Sequence, residues 1–553
     1  MRSLYVVGVN NNSGKTLVSL GLIEMLRHRV ERIGFFRPIV GTKCGSGDND
    51  ADIELVGDYF NLGIPYEDSC GYSSEVANTL ISLGKVDQLI EGIIAKHEQL
   101  ADSCSLVISE GIDIGSLPGV SELELNALIC RDIGCPLVLV CSAANKSSDN
   151  ILSEIEFAAE TFREGNCDIL ATFVNRVAGK QADVLLSALA HHELPGLQRA
   201  WALPYEAALR EPSIRQIAES LDAKIIAGRE QLTKRVGHVV VGAAHFINLL
   251  SKLREGTLIV TAGDRDDIIK ECLIQRHPEA SNVAGILLAD GLNPDVETLE
   301  QAEDVGTPVA VLQADQETLQ VATAAASVNA DFTASDAGKL DAALALFGQT
   351  VDADGLAGEI LKSSQLKLTP KRFECRLVKN ATQNQAHIVL PEGEEERVLR
   401  AAGLIARDGL AKVTLLGDDQ TIRQKQSGLG VRLDGVQLLN PRTSQCAEAY
   451  AKAFVDLRKH KGMTLDVARD AILDGNYFGT MMVAQGDADG MVSGAIHSTG
   501  DTIRPALQLI GTQSEFSVVS SVFFMGINDS VMVYGDCAVN PDPTADQLAE
   551  IAI

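Results

Sequence analysis

Residues 4–16 read LYVVGVNNNSGKT, and the order of residue types in this stretch decides how the first part of the chain folds. Leu4–Val9 is a short apolar run ending in a polar loop, the pattern of a buried parallel strand. The loop from Gly8 to Thr16 supplies two glycines, Gly8 and Gly14, small polar residues and a Lys15-Thr16 pair that opens a helical pattern. Backbone amides in such a loop point at a phosphate, Lys15 neutralises it, and the Thr16 hydroxyl is placed to hold Mg²⁺. Five residues separate Gly8 from Gly14-Lys15-Thr16, one more than in the usual form of this loop.

The same grammar continues outward. Ile33–Phe36, Leu106–Ser109, Leu137–Cys141 and Ile169–Val174 are strand candidates, each followed by a polar or glycine-rich turn and a helical stretch, as in parallel βαβ units. A first domain is therefore expected over 1–222. A smaller α/β domain is expected over 223–346, with strands at Gly256–Val260, Gly285–Leu288 and Val309–Leu312. Residues 347–368 are small and polar without a strong period and read as a linker, and a third domain runs over 369–553. The fold class is α/β: three successive parallel or mixed domains, the first a doubly wound sheet.

Composition narrows the function classes. The net charge is −28, from 47 basic and 75 acidic residues, and such a surface repels nucleic acid and anionic membrane. Anionic metabolites must then be held by local arginines, backbone amides and helix N-termini. Eleven cysteines lack any CxxC pair or metal-ligand spacing, which favours free thiols in a reducing cytosol. The longest apolar run, Val239–Leu250, contains His245 and Asn248 and is too short to cross a bilayer. With the N-terminus leading straight into a strand, the expectation is a cytoplasmic protein without a targeting peptide. His238 and His245 read as packed or capping residues, because no carboxylate or cysteine shares a metal-ligand spacing.

The longer loop at Gly8–Thr16 resembles that of dethiobiotin synthetase and its relatives. Further residues carry the likeness: Phe36-Arg37-Pro38 after the second strand, Asp52 and Glu110 where that family places Mg²⁺-binding acids, and Asn175-Arg176 where it reads a base. The resemblance implies a nucleotide site at Gly8, Gly14, Lys15, Thr16 and Asn175, with Mg²⁺ at Thr16, Asp52 and Glu110. ATP with Mg²⁺, or another nucleotide, is the implied occupant. The middle domain, including RVGHVVVGAA (235–244) and TAGDRDDII (261–269), resembles the small DRTGG-type domain, although the pentapeptide itself is absent.

In the third domain, HIVLPEGEEERVLRAAGLIARDGLAKVTLLG (387–417) reads strand, turn, helix, strand, and Gly409 ends the helix. It is followed by LRKHKGMT (457–464), GDADGMVSGAIHSTGDTIRPALQLIGT (486–512) and VMVYGDCAVNPDPT (531–544). These blocks, in this order, resemble the phosphate acetyltransferases of the long, multidomain type. The resemblance implies reversible acetyl transfer between acetyl phosphate and coenzyme A, with coenzyme A as substrate, no cofactor needed for the transfer, and a homo-oligomer.

Arg504 and Arg458 match positions that this family uses for substrate. Ser493, Gly494, Ser498, Thr499 and Lys461 are the accompanying binding candidates. Arg504 is expected in the first turn of a helix capped by Asp501 or Thr502 and started by Pro505. Loop amides, helix dipole and guanidinium would then converge on one phosphate. The family's remaining catalytic groups, including the base for the thiol, lie later in its domain than Ile553. A transferase domain cut short, with the chain inactive as it stands, is therefore expected. A nucleotide- or metabolite-sensing regulatory protein with a vestigial transferase domain stays open as the second reading.

Overall fold

Alternating apolar runs and helical stretches pack into two units, Met1–Lys367 and Leu368–Ile553, in the computed structural model. It describes residues 1–553 except 42–48, 114–120, 207–208, 210, 275–276, 293, 295–307, 329–331 and 333–335. The first unit opens with seven strands: β1 (Ser3–Gly8), β2 (Ile33–Val40), β3 (Cys70–Ser73), β4 (Leu106–Glu110), β5 (Leu137–Ser142), β6 (Ile169–Val177) and β7 (Ala200–Pro204). They form one parallel sheet in the order β3-β2-β4-β1-β5-β6-β7. The order in which strands are added reverses around β1, so the loop after β1 and the end of β4 meet at the carboxyl edge where ligands of open α/β sheets bind.

Helix α1 (Lys15–Leu26) is apolar on nearly all sides. A helix of that kind must be covered twice, and here one cover comes from far along the chain. Residues 347–368, expected to be a linker, are largely helical: Ala337–Thr350 and Ala353–Ser363 bring Leu340, Ala343, Phe347, Val351, Leu356 and Ile360 into the core of the first sheet. A Cβ on Gly21 of α1 would lie 2.3 Å from the Phe347 ring, so glycine permits this close approach. The stretch looked like a linker because its few large apolar residues are interleaved with glycine, aspartate, serine and other small or polar residues.

Between β7 and these helices lies a second sheet in the order β8-β12-β11-β10-β9: β8 (Lys224–Ala227), β9 (His238–Val241), β10 (Thr257–Ala262), β11 (Val283–Ala289) and β12 (Ala310–Gln313). Only β8 runs antiparallel.

The second unit holds a parallel sheet in the order β15-β14-β13-β16: β13 (His387–Leu390), β14 (Lys412–Leu416), β15 (Gln437–Leu439) and β16 (Gly490–Met491). Leu399 and Ala402 of the helix Glu396–Arg407 pack on one face, and Tyr450, Phe454, Phe478, Met481 and Leu509 form the other core. A hairpin, β17 (Val522–Ile527) and β18 (Ser530–Gly535), leaves Phe523, Phe524, Val533 and Tyr534 exposed. Among the described residues no helix is long and apolar enough to cross a membrane, and every cysteine is a free thiol.

Candidate functional site

In the first unit the loop after β1 ends at Gly14, whose φ of 89° suits glycine and lets α1 begin without a side-chain cap. A Cβ there would strike Asn175, whose amide donates to the Ser13 carbonyl at 3.1 Å. The open end of α1 faces a cavity of about 340 Å³ lined by Ser13, Lys15, Thr16, Asp52, Asp113 and Asn175, among others. The Ser13 hydroxyl is buried and has no hydrogen-bond partner among the described residues.

The charges in this cavity are already engaged. Lys15, 6 % exposed, is ion-paired with Asp113. Arg37 donates to Asp50 at 2.8 Å, Asp52 at 2.7 Å and Asp113 at 2.7 Å. Thr16 Oγ1 donates to Asp52 at 3.1 Å and lies 3.4 Å from Glu110, which also accepts from Ser19 at 2.8 Å. Burial, and then the neighbouring Asp52, push the Glu110 carboxyl up to about 7. Asp113 goes the other way: burial opposes its charge, but Lys15 and Arg37 outweigh that and hold it below the usual carboxylate range. Among the described residues no group of three or more His, Cys, Asp and Glu side chains suits a metal. Thr16, Asp52 and Glu110 therefore offer one hydroxyl and two carboxylates, a donor set that suits Mg²⁺ only with phosphate and water completing its shell.

In the second unit the Arg504 helix starts earlier than its sequence suggests. It runs Thr499–Leu509, with Ser498 and Asp501 forming a capping box, so Arg504 sits in the second turn and Pro505 inside the helix. Proline has no N–H to offer the Asp501 carbonyl. The buried Asn476 side chain donates to that carbonyl instead, at 3.4 Å, and accepts from Ser493 Oγ at 2.7 Å. Arg504 folds back toward the first turn: Nη2 lies 4.0 Å from where a Cβ on Gly500 would stand. The amides of Thr499 and Gly500 are open donors beside it, with no acceptor among the described residues.

Arg458 is half-buried at the end of the helix Ala447–Arg458, and Lys461 is exposed on the tight turn that follows. Both arginines act on one phenol: burial pushes the Tyr477 pKa up, whereas Arg504 and Arg458 pull it down. Tyr477 stacks on Phe454 at 5.7 Å and donates to Gln508 at 3.0 Å. Neither arginine has a carboxylate partner among the described residues. Arg504 is exposed and Arg458 half-buried, so water solvates both guanidinium groups and both are open to an anionic ligand.

The expected loop amides are spent elsewhere. Glu392, 5 % exposed, accepts from the amides of Gly494, Ala495, Ile496 and His497 at 2.7–3.1 Å, and from His497 Nδ1 at 2.8 Å. Ser498 Oγ donates to Asp501 at 2.6 Å. Asp536 repeats the device, accepting from the amides of Ala538, Val539 and Asn540. Glu392, Asn476, Asp113 and Asp536 were not singled out in the sequence. The glutamate in Pro391-Glu392-Gly393 was the only signal available, and it says nothing of its partner loop.

The Phosphate acetyl/butaryl transferase family model matches residues 372–553, the DRTGG domain model residues 216–328, and an AAA domain model residues 2–213. The class is thus that of acyl transferases working with phosphate, joined to an AAA-type α/β domain and a DRTGG domain. The phosphate acetyltransferase of Nitratidesulfovibrio vulgaris is 36% identical over 556 residues, taking in 100% of this chain and 79% of that protein. That of Synechocystis sp. is 38% identical over 556 residues, 100% of this chain and 80% of the other. A phosphotransacetylase structure from Streptococcus pyogenes is 42% identical with a TM-score of 0.32; the alignment covers 34% of this chain and 56% of that one, a little over half its length. The chain belongs to the phosphate acetyltransferase family.

Proposed function

We propose that the second unit carries reversible acetyl transfer, acetyl-CoA + phosphate ⇌ acetyl phosphate + CoA, with Arg504 and Arg458 as its anion ligands. The observation that carries this reading is Arg504 folded back beside the open start of its helix, with Arg458 on the basic turn and neither paired to a carboxylate among the described residues. In the direction of acetyl-CoA, the thiolate sulfur bonds to the acyl carbon, and the bond from that carbon to the phosphate oxygen breaks. Phosphate leaves with the electron pair, and its charge is matched by the Arg504 guanidinium and the amides of Thr499 and Gly500. Arg458, on its basic turn with Lys461, is left for the phosphates of coenzyme A. A larger cavity of about 450 Å³ at the ends of β13–β15 is lined by Glu394, Glu395 and Asp418 against Lys425 and Arg442, a poorer match for a dianion.

The test is steady-state kinetics. In a version with the whole transferase domain, Arg504→Ala should lower kcat/KM for acetyl phosphate by the equivalent of ~2–4 kcal/mol, while Arg458→Ala raises the KM for coenzyme A. Unchanged kinetics in both variants would remove the arginines from the site.

A nucleotide in the first unit is the accompanying reading. It is supported by the uncapped start of α1 and the partnerless, buried Ser13 hydroxyl that lines the same cavity. Thr16, Asp52 and Glu110 would hold Mg²⁺, whose charge would offset the carboxylates against a triphosphate. With Lys15 already paired, this site suits sensing rather than turnover.

A further inference from the structure

We propose that Glu392 is the positioning residue of the acyl-phosphate site: it fixes the loop Gly494–His497, and through it the start of the helix that presents Arg504. The proposal rests on the reading of Arg504 as a phosphate ligand.

The geometry begins in the sheet. β13 and β16 are parallel neighbours, with Ile388 opposite Gly490 and Val389 opposite Met491, and Val492 N donates to the Val389 carbonyl at 3.0 Å. The segments that leave their carboxyl ends therefore emerge side by side. One carries Glu392, the other the loop 493–498. Four consecutive amides turned toward one point are an anion-binding nest, and here the anion is the protein's own carboxylate. Burial alone would push the Glu392 pKa up, yet the amides of Ile496 and Ala495 and the His497 imidazole hold it down to about 2.

An external phosphate cannot use these amides while Glu392 holds them. Their role is mechanical. The loop is tied at further points, by Arg397 donating to the Ala495 carbonyl at 2.8 Å and by Ser493 donating to Asn476 at 2.7 Å. It then runs directly into Ser498, the cap of the Arg504 helix. Removing the carboxylate leaves four amides without their acceptor, and the loop must rearrange to hydrate them. The Thr499 and Gly500 amides and the Arg504 guanidinium would move with it. A misplacement of about 1 Å is enough to cost on the order of 10²-fold in rate.

The experiment uses the full chain with Glu392→Ala and Glu392→Gln. In the carboxamide, one oxygen still accepts while the NH₂ group opposes the remaining amides, so its effects should fall between wild type and alanine. Hydrogen exchange at 494–497 should accelerate in that order, with exchange in the first unit unchanged. The kcat/KM for acetyl phosphate should fall by about 10²-fold in Glu392→Ala, while the KM for coenzyme A stays within about twofold; a general loss of structure would move both. Unchanged exchange at 494–497 would overturn the proposal. So would tighter inorganic phosphate binding in the variants, because it would mean that Glu392 competes with the substrate for those amides. If the unmutated chain shows no transfer, the outcome expected of it from the sequence, inorganic phosphate binding that survives Arg504→Ala is what removes Arg504 from the site. Exchange at 494–497, read with inorganic phosphate titrated into wild type and variants, then decides the role of Glu392 by itself: faster exchange with weaker or equal phosphate binding supports it.

Discussion

Asp113 and Glu392 are both carboxylates sitting where a phosphate could sit, and they differ in what they hold. Glu392 holds backbone amides and is buried; Asp113 holds two cations, and its side chain is 57% exposed. More than half of the Asp113 side chain is open to water although its two cations are buried, so its pairing with Lys15 sits at the upper end of the range for exposed ion pairs, ~1 kcal/mol. ATP with Mg²⁺ must compete with it for Lys15. Asp113→Asn should therefore tighten ATP binding by roughly fivefold, and Lys15→Ala should abolish the gain, both read by calorimetry. Affinity unchanged or weakened in Asp113→Asn would show that the carboxylate does not compete. Lys15 and Thr16 were named from a short loop whose spacing suggests phosphate chemistry, and the two arginines from the resemblance to phosphate acetyltransferases. Asp113, Glu392 and Asn476 act across long sequence separations, and no local pattern announces such a partner.

Among elements, the strands missed in the three larger sheets share one property. β3 and β7 bound the first sheet, β8 and β9 the second, and β15 and β16 the third. An edge strand pairs on one side only and is short, so it needs fewer apolar or β-branched residues than a central one. The central strands, buried on both faces, were all visible as apolar runs. The Arg504 helix was misread for a different reason. Proline at 505 suggests a helix start, but the Ser498–Asp501 box supplies a better one, and Asn476 satisfies the carbonyl that proline leaves open.

The loop built on Glu392 also has a pH signature. Its folded pKa, about 2, lies below the ordinary 4.5, so its contribution is complete above about pH 4.5 and is lost as pH falls toward 2. The melting-temperature gap between wild type and Glu392→Gln, followed by calorimetry, should be constant above pH 5 and close between 4.5 and 2. A gap that does not narrow would mean that the charge is not what the amides recognise.

At the scale of the whole molecule, the chain divides at Lys367/Leu368, beside the expected start of the third domain, but the core of the first sheet does not close at residue 222. The expected boundary at 222 leaves the first sheet without the helices Ala337–Thr350 and Ala353–Ser363, whose apolar residues complete its core. Even β1 leans on the end of the second helix, because Ser3 N donates to the Ser364 carbonyl at 2.9 Å and Arg2 bridges to Gln365. A fragment of residues 1–222 should therefore be aggregation-prone and lack a cooperative melt, whereas 1–367 should melt cooperatively; circular dichroism and light scattering distinguish the two. A sharp melt in the shorter fragment would mean that the sheet is stable without its late cover.

That late cover carries a consequence for biosynthesis. Phe173 stacks between Trp201 and Phe347, at 5.2 and 5.6 Å, and Phe347 also fills the notch at Gly21. When β7 leaves the ribosome, the whole second sheet remains to be translated before Phe347 appears. At about 5–20 residues per second that wait is on the order of ten seconds, far longer than the collapse of the segment already made. Throughout it Phe173, Trp201 and the outer face of α1 stand open to water on the nascent chain. In that interval the nascent chain exposes the same apolar surface that is expected to make the fragment of residues 1–222 aggregation-prone.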